Sequence, residues 1–548
     1  MFSKIRELSK NITIYGLGDV AVSLVNIFLL PLYVLFFSAA DYGVIGILGV
    51  FEVVFKIVFR FGLDGAFMRF FYECADETER QRLASTIFFF LLALNGAVLA
   101  ALLIAAPAIA SAFLGSRIYT AAFRLMTINM FAIGFTFIPF HVLRMEQRTV
   151  TFSTLTLVRS VLTIVVRLVL VTRLHLGVTG LYLADLLVTI VVLAALVKWF
   201  TPLIRPLFSR AVLRDALAFG APRLPHAAAQ QVMAVGDKFI LGLFHSKETV
   251  GIYSLSVSVG LMQKLFLSAF ESAWAPFYYA TVKEPDAPRV FRTVTTYGVA
   301  ILALLTAGLA AVGTEALRAM THGRILAPED PRWAAVTVVI AFTAIGVFFQ
   351  GVYLLTSIGL NITKQTQYYP VATMTSAAIN VGLNFLLIPT YGVYAAAWAN
   401  GIAYAALAVI GYRFSQRFYA VPYEWGRLTR VCGAAIAAYL AAIMLPRIHL
   451  PVDPRSTLAP LPDLVVRGTA VIGVFTGLLA VTGFFRGGEI ARLRALRRRR
   501  TAPAPATLRA PDSTEMAGEI VATDIEAPDA AVAHESAARP QVATDKHG

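Results

Sequence analysis

The chain has 548 residues, 58% of them apolar and 14% charged, against about 25% charged in an ordinary soluble domain. With a mean hydropathy of +0.71 and many long apolar runs, it reads as a polytopic α-helical membrane protein, and the continuity of the runs excludes a β-barrel, whose strands alternate. The net charge of +15 sits beside those runs, so it marks topology rather than a nucleic-acid surface.

Fourteen spans are expected, at about 11–37, 41–62, 84–112, 118–143, 150–172, 177–198, 214–244, 250–281, 292–314, 333–358, 367–388, 392–412, 428–446 and 463–485. The first is too long for the apolar part of a signal peptide and lacks a small-residue cleavage site, so no cleaved leader is expected. Lys4, Arg6 and Lys10 precede it. Later even-numbered connections carry Arg80 and Arg82, Arg144 and Arg148, Lys198 and Arg205, Lys283 and Arg289, and Arg413 and Arg417. Opposite connections such as 38–41 and 390–391 carry no basic residue. This bias places both termini in the cytoplasm. Cys74 and Cys432 fall near cytoplasmic ends of spans, so neither a disulfide nor a structural zinc site is expected. Past the basic run at 497–500, residues 501–548 are rich in Ala, Pro, Thr, Asp and Glu and lack aromatics, the composition of a disordered tail.

Two stretches recur. "LFFSAADYGVIG" (35–46) aligns without gaps with "LFHSKETVGIYS" (243–254), and "LGVTGLYLAD" (176–185) with "YGVYAAAWAN" (391–400). The first pair links spans 1–2 to spans 7–8, the second links 5–6 to 11–12. Six spans per repeat is an even number, so the halves share one orientation, as parallel repeats about an axis along the membrane normal with a cleft between them. The expected organisation is a six-helix bundle over 1–200, a second over 201–415, two extra helices and a basic stop over 416–500, and the tail over 501–548.

"NITIYGLGDVAVSLVNIFLLPLYVLFFSAADYGVIG" (11–46), "FGLDGAFMRFFY" (61–72), "GDKFILGLF" with "VGIYSLS" (236–256), and "NITKQTQYYP" with "NVGLNFLLIPTYGVYAAAWAN" (361–400) follow one another in order. Together they resemble bacterial polysaccharide and oligosaccharide flippases of the multidrug/oligosaccharidyl-lipid/polysaccharide exporter superfamily, over about residues 8–486. The resemblance implies an all-α polytopic fold: two six-helix bundles facing each other in a V, with two extra C-terminal helices. It implies alternating access in the bacterial cytoplasmic (inner) membrane. The cargo would be an undecaprenyl-diphosphate-linked oligosaccharide, a unit of O-antigen, capsule or exopolysaccharide, moved from the cytoplasmic to the periplasmic leaflet. Expected partners are that lipid-linked oligosaccharide, membrane lipids, a polysaccharide polymerase and a chain-length regulator. A monomer is expected, with no cofactor, metal or nucleic acid.

An ionisable side chain at the bilayer centre costs about 2.5–3.5 kcal/mol on insertion scales, so each needs a reason. Span 1 carries Asp19 and Asn26, span 2 Lys56 and Arg60, span 5 Arg159 and Arg167, and span 6 Asp185. Span 7 carries Arg223, His226, Gln230, Gln231, Asp237 and Lys238; span 8 carries Lys264, Ser268 and Glu271 in one stripe. Basic residues outnumber acidic ones. A cavity with surplus positive charge suits an anion, and guanidinium grips phosphate with paired donors. Lys56, Arg60, Arg159, Arg167, Arg223 and Lys264 are therefore candidates for binding the diphosphate. Blander readings stay open: Lys56 and Arg60 snorkel, Asp237 and Lys238 pair with each other, and His226 is a bundle contact. Asn26, Gln230, Gln231 and Glu271 either line a cavity or pack helices. Asn380 and Asn384, four apart, should face protein rather than lipid, in interhelical hydrogen bonds or against substrate. Pro389 and Gly392 are expected to end that span in a short turn.

No covalent chemistry is visible. The histidines are scattered without metal spacing, and there is no Gly-Lys-Ser/Thr phosphate loop. The connections at about 315–332 and 447–462 hold Glu329, Asp330 and Asp453 without a clustered catalytic set. A transporter is expected rather than an enzyme such as a membrane polymerase or glycosyltransferase. The alternatives are a lipid II flippase or a small-molecule or drug exporter of the same superfamily. Transport would draw on an ion gradient or on the membrane potential, with a coupling cation held at an intramembrane carboxylate, Asp19 first and Asp237 second.

Overall fold

Residues 35–485, apart from 147, 222–223, 322–324, 328 and 447–458, are described in a computed structural model. Asp19, Asn26, Arg223, the first expected span up to residue 34 and the tail therefore lie outside the described residues. Among the described residues every regular element is helical, and 12 helical segments are long and apolar enough to cross a membrane.

Ser38 opens α1 (Ala39–Arg60). Its Oγ accepts the Asp41 N–H at 3.2 Å, and the Asp41 carboxylate accepts the Ser38 N–H at 3.0 Å. Such a reciprocal cap stabilises a helix start by about 1 kcal/mol. Phe61 and Gly62, at left-handed φ of 49° and 71°, break the helix before α2 (Leu63–Glu73). The break takes the Phe59 carbonyl out of regular helix bonding. Asn95 on α3 (Glu77–Ile109) donates to it at 2.7 Å, so a buried acceptor is not left unpaired. α4 (Thr120–Met145), α5 (Thr149–Thr172) and α6 (Gly177–Phe200) follow.

The expected span 214–244 is in fact two helices, α7 (Arg210–Gly220) and α8 (Leu224–Phe244). α7 exposes Arg210, Arg214 and Asp215, and Pro222 in the sequence cannot extend its hydrogen bonding. α8 is not among the segments apolar enough to be counted as a span; His226, Gln230, Gln231, Asp237 and Lys238 lower its hydropathy. The breaks on either side of α2 and α7 meet backbone to backbone. A Cβ on Gly62 would lie 2.6 Å from the Gly220 carbonyl oxygen, and one on Gly220 would lie 2.5 Å from that of Gly62.

The expected span 250–281 is likewise divided into α9 (Lys247–Gly260) and α10 (Lys264–Thr281) by a 3-10 turn at Leu261–Gln263. Then come α11 (Ala287–Thr321), α12 (Trp333–Thr356), α13 (Tyr368–Tyr391), α14 (Val393–Phe418), α15 (Trp425–Met444) and α16 (Leu461–Val481). α13 runs through Pro389 and stops at Gly392, whose φ is 54°. The proline does not end the helix, contrary to expectation. In a last turn it removes one hydrogen bond, while the left-handed glycine redirects the chain.

The repeated stretches adopt the same geometry twice. Ser246 caps α9 as Ser38 caps α1, its Oγ accepting the Thr249 N–H at 3.3 Å. Gly177 and Gly392, equivalent in the alignment, have φ of 53° and 54° at the starts of α6 and α14. The N-terminal ends of α1 and α9 cross at backbone distance. A Cβ on Gly43 would lie 1.8 Å from the Lys247 carbonyl oxygen, and one on Gly251 would lie 1.8 Å from that of Ala39. Gly43 aligns with Gly251 and Ala39 with Lys247, so the contact is reciprocal.

α15 and α16 pack on α11. Arg427 bonds Glu424 at 2.7 Å, Arg292 approaches the same carboxylate at 3.6 Å, and the Arg427 guanidinium covers the Phe484 ring at 4.5 Å. The described residues up to Phe484 form one compact unit.

Candidate functional site

Glu52, Lys56 and Arg60 recur every four residues along α1, which sets them on one face. That face, with α4 and α5, encloses a cavity of about 460 Å³. Arg144 and His141 from α4 and Arg159 from α5 complete its polar wall; Phe137, Phe140 and Phe152 supply much of the apolar one. Four cations (Lys56, Arg60, Arg144 and Arg159) thus face one carboxylate, Glu52. Arg60 lies 3.7 Å from Asp64, yet its Nε is buried without a hydrogen-bond partner. The Arg144 guanidinium covers the Phe152 ring at 4.4 Å, a contact that holds its plane in place. A recess of this kind offers an oxyanion several charge-assisted donors at once.

Arg167, expected beside Arg159, does not line this cavity. Its Nε and Nη2 donate to the two oxygens of Asp185 on α6 at 2.7 and 2.6 Å. The pair joins α5 to α6 and leaves the guanidinium fork occupied. Glu52 lies within electrostatic reach of this pair and of Lys56.

Lys264 lies elsewhere, in a second cavity of about 320 Å³ in the other half of the chain. Gln230 and Gln231 from α8 and Glu271 from α10 share that wall with it. Gln350 and Tyr353 from α12, Thr373 from α13 and Tyr404 from α14 supply the remaining polar groups. His226 sits at the rim of this group, its Nδ1 2.7 Å from Thr373 Oγ1, and so ties α8 to α13.

Asp237 is 2% exposed. The Tyr253 hydroxyl on α9 donates to its Oδ2, and the Lys238 N–H donates to its Oδ1 at 2.8 Å. Asn380 and Asn384 are buried. They bond each other along α13, Asn384 Nδ2 to Asn380 Oδ1 at 3.1 Å, and Asn380 Nδ2 and Asn384 Oδ1 have no partner.

Sequence reasoning overlooked Glu52, Arg144, Gln350, Tyr353 and Tyr404. The four-residue spacing of Glu52 with Lys56 and Arg60 was the available signal for the first. Arg144 reads from sequence as a topology marker at the end of a span, whereas its side chain lies over Phe152 and lines the cavity. Gln350 and Tyr353 carry no periodic signal in α12, which is otherwise apolar, and Tyr404 carries none in α14.

No curated protein matches the chain. Among solved structures, the fold is similar to "Lipid II flippase MurJ, inward closed conformation", with a TM-score of 0.56, 16% identity, and coverage of 83% of this chain and 100% of that one. It is similar to a MATE in complex with MaD3S, with a TM-score of 0.52, 15% identity and coverage of 77% and 97%. A MATE in the straight conformation gives a TM-score of 0.51 at 15% identity, with coverage of 77% and 96%. Residues 35–320 match the family described as polysaccharide biosynthesis protein, and the chain, a multi-pass membrane protein, belongs to that family.

Proposed function

We propose that the protein is a flippase that carries an undecaprenyl-diphosphate-linked oligosaccharide from the cytoplasmic to the periplasmic leaflet of the bacterial inner membrane by alternating access. The observation that carries this reading is the cavity in which Lys56, Arg60, Arg144 and Arg159 outnumber Glu52. Such a surplus inside a membrane bundle is costly unless an anion answers it, and a lipid-linked diphosphate does. Membership of a polysaccharide biosynthesis family supports a glycan cargo. Arg223, outside the described residues, remains a candidate ligand on sequence grounds. The Lys/Arg bias supports cytoplasmic termini, and the repeat supports rocking of two halves. Asp19 and Asp237 are the candidates for ion coupling; the buried Asp237, held by one hydroxyl and one amide, is the one whose surroundings are described. The polymerase and the chain-length regulator act next on the delivered unit.

A lipid II flippase is the second reading, favoured by the fold likeness to the protein of that name. Depletion in the source cell separates the two. The proposal expects loss of surface polysaccharide, with lipid-linked oligosaccharide accumulating on the cytoplasmic leaflet while cells keep their wall. Lysis with arrested wall synthesis would overturn it. Arg159→Gln should reach the membrane at normal level and abolish export; export at the wild-type rate would remove the cavity from the mechanism.

A further inference from the structure

The two cavities are chemically different. The one beside α1 holds four cations against one carboxylate. The one between α8, α10 and α12–α14 holds one of each, Lys264 and Glu271, and so has no surplus charge. A diphosphate placed there would bring at least two negative charges without net compensation, an expensive arrangement out of bulk water.

What this wall offers instead is amide and phenol. Gln230, Gln231, Gln350, Tyr353 and Tyr404 all line it. A side-chain amide presents two donors and an acceptor on one rigid plane, and a phenol presents a donor and an acceptor beside an apolar ring. That is the complement of a sugar, whose hydroxyls both donate and accept and whose C–H faces are apolar. Gln350 Oε1 is buried with no hydrogen-bond partner, an acceptor whose burial is unrewarded until a donor arrives. The volume of about 320 Å³ is that of a site for one or two sugar rings, at the lower end of the usual range for ligand pockets.

We propose that this second cavity is the glycan subsite, while the diphosphate is held in the cavity beside α1. The assignment rests on the flippase reading above and adds to it a division of labour between the halves. It places Lys264 against the sugar and its Glu271 neighbour rather than against phosphate.

Binding to the purified full-length protein in lipid nanodiscs tests it with two probes. One is undecaprenyl diphosphate, which has no sugar. The other is the lipid-linked oligosaccharide extracted from source cells depleted of the protein. Gln350→Leu and Tyr404→Phe are expected to weaken the glycolipid about tenfold and leave undecaprenyl diphosphate unchanged; Arg159→Gln is expected to weaken both by the same factor. Equal weakening of both probes by the Gln350 and Tyr404 variants, or of neither, would overturn the subsite. Should Gln350→Leu fail to fold, Tyr404→Phe, which removes one oxygen, carries the test alone. Wild-type protein that binds neither probe would instead sink the flippase reading itself.

Discussion

Eight residues separate Arg159 from Arg167, which is two helical turns plus about 80°. That rotation carries Arg167 off the cavity wall and onto α6, where Asp185 takes both arms of its fork. Both residues were legible in the sequence as intramembrane cations. Which of them faces a cavity was not, because neighbouring helices decide it and a single sequence does not say which helices those are. The two should fail differently. Arg167→Gln leaves a largely buried Asp185 without its partner and is expected to lower stability by about 2 kcal/mol, read as reduced membrane level and an earlier thermal unfolding in detergent. Joint replacement, Arg167→Met with Asp185→Leu, should restore most of that loss. Recovery of level without recovery of transport would show that the pair also serves the transport cycle.

At the scale of elements, apolar runs located most helices to within a few residues, and the breaks were the misses. Those misses lie inside the expected spans 214–244 and 250–281, each of which is two helices. The left-handed pair Phe61-Gly62, between Arg60 and Asp64, falls where the expected span 41–62 ends, and what the sequence reading lacked there is the short helix α2 beyond it. Gly62→Ala is expected to destabilise, since the new Cβ meets both a positive φ and the Gly220 carbonyl. Gly308→Ala in α11, which has nothing within 4 Å, is the control and should melt no lower than wild type. A joint between elements gives the pH prediction. Arg332 binds Asp330 at 2.7 Å and Glu248, in the first turn of α9, at 2.7 Å, so the connection before α12 is fastened to another helix. Hydrogen bonding to Arg332 holds the Asp330 carboxyl below its usual range. A carboxyl lowered on folding stabilises fully above its unfolded value of about 3.9 and loses that contribution as pH falls through its folded value. Asp330→Asn should therefore unfold earlier than wild type at neutral pH, the gap closing at strongly acid pH; a gap independent of pH would mean the ion pair contributes nothing.

On the scale of the whole molecule, the crossing of α1 and α9 is made by bare backbone, Gly43 on Lys247 and Gly251 on Ala39. The alternating access proposed above requires that crossing to part at one stage of the cycle. A Cβ at either glycine penalises only the joined state, so Gly43→Val and Gly251→Val should each raise thiol labelling of a cysteine introduced at Val250, which is buried against α1 in the joined state, with protein level maintained. Unchanged labelling would mean that the crossing stays shut throughout. Because each half presents to the other the patch that it receives, the contact has the geometry of a two-fold subunit interface, in which one surface is its own complement. A single chain built this way behaves at that seam as a fused dimer. Residues 1–205 and 206–548, made as separate polypeptides in one cell, should find each other and copurify, and Gly43→Val should weaken that association.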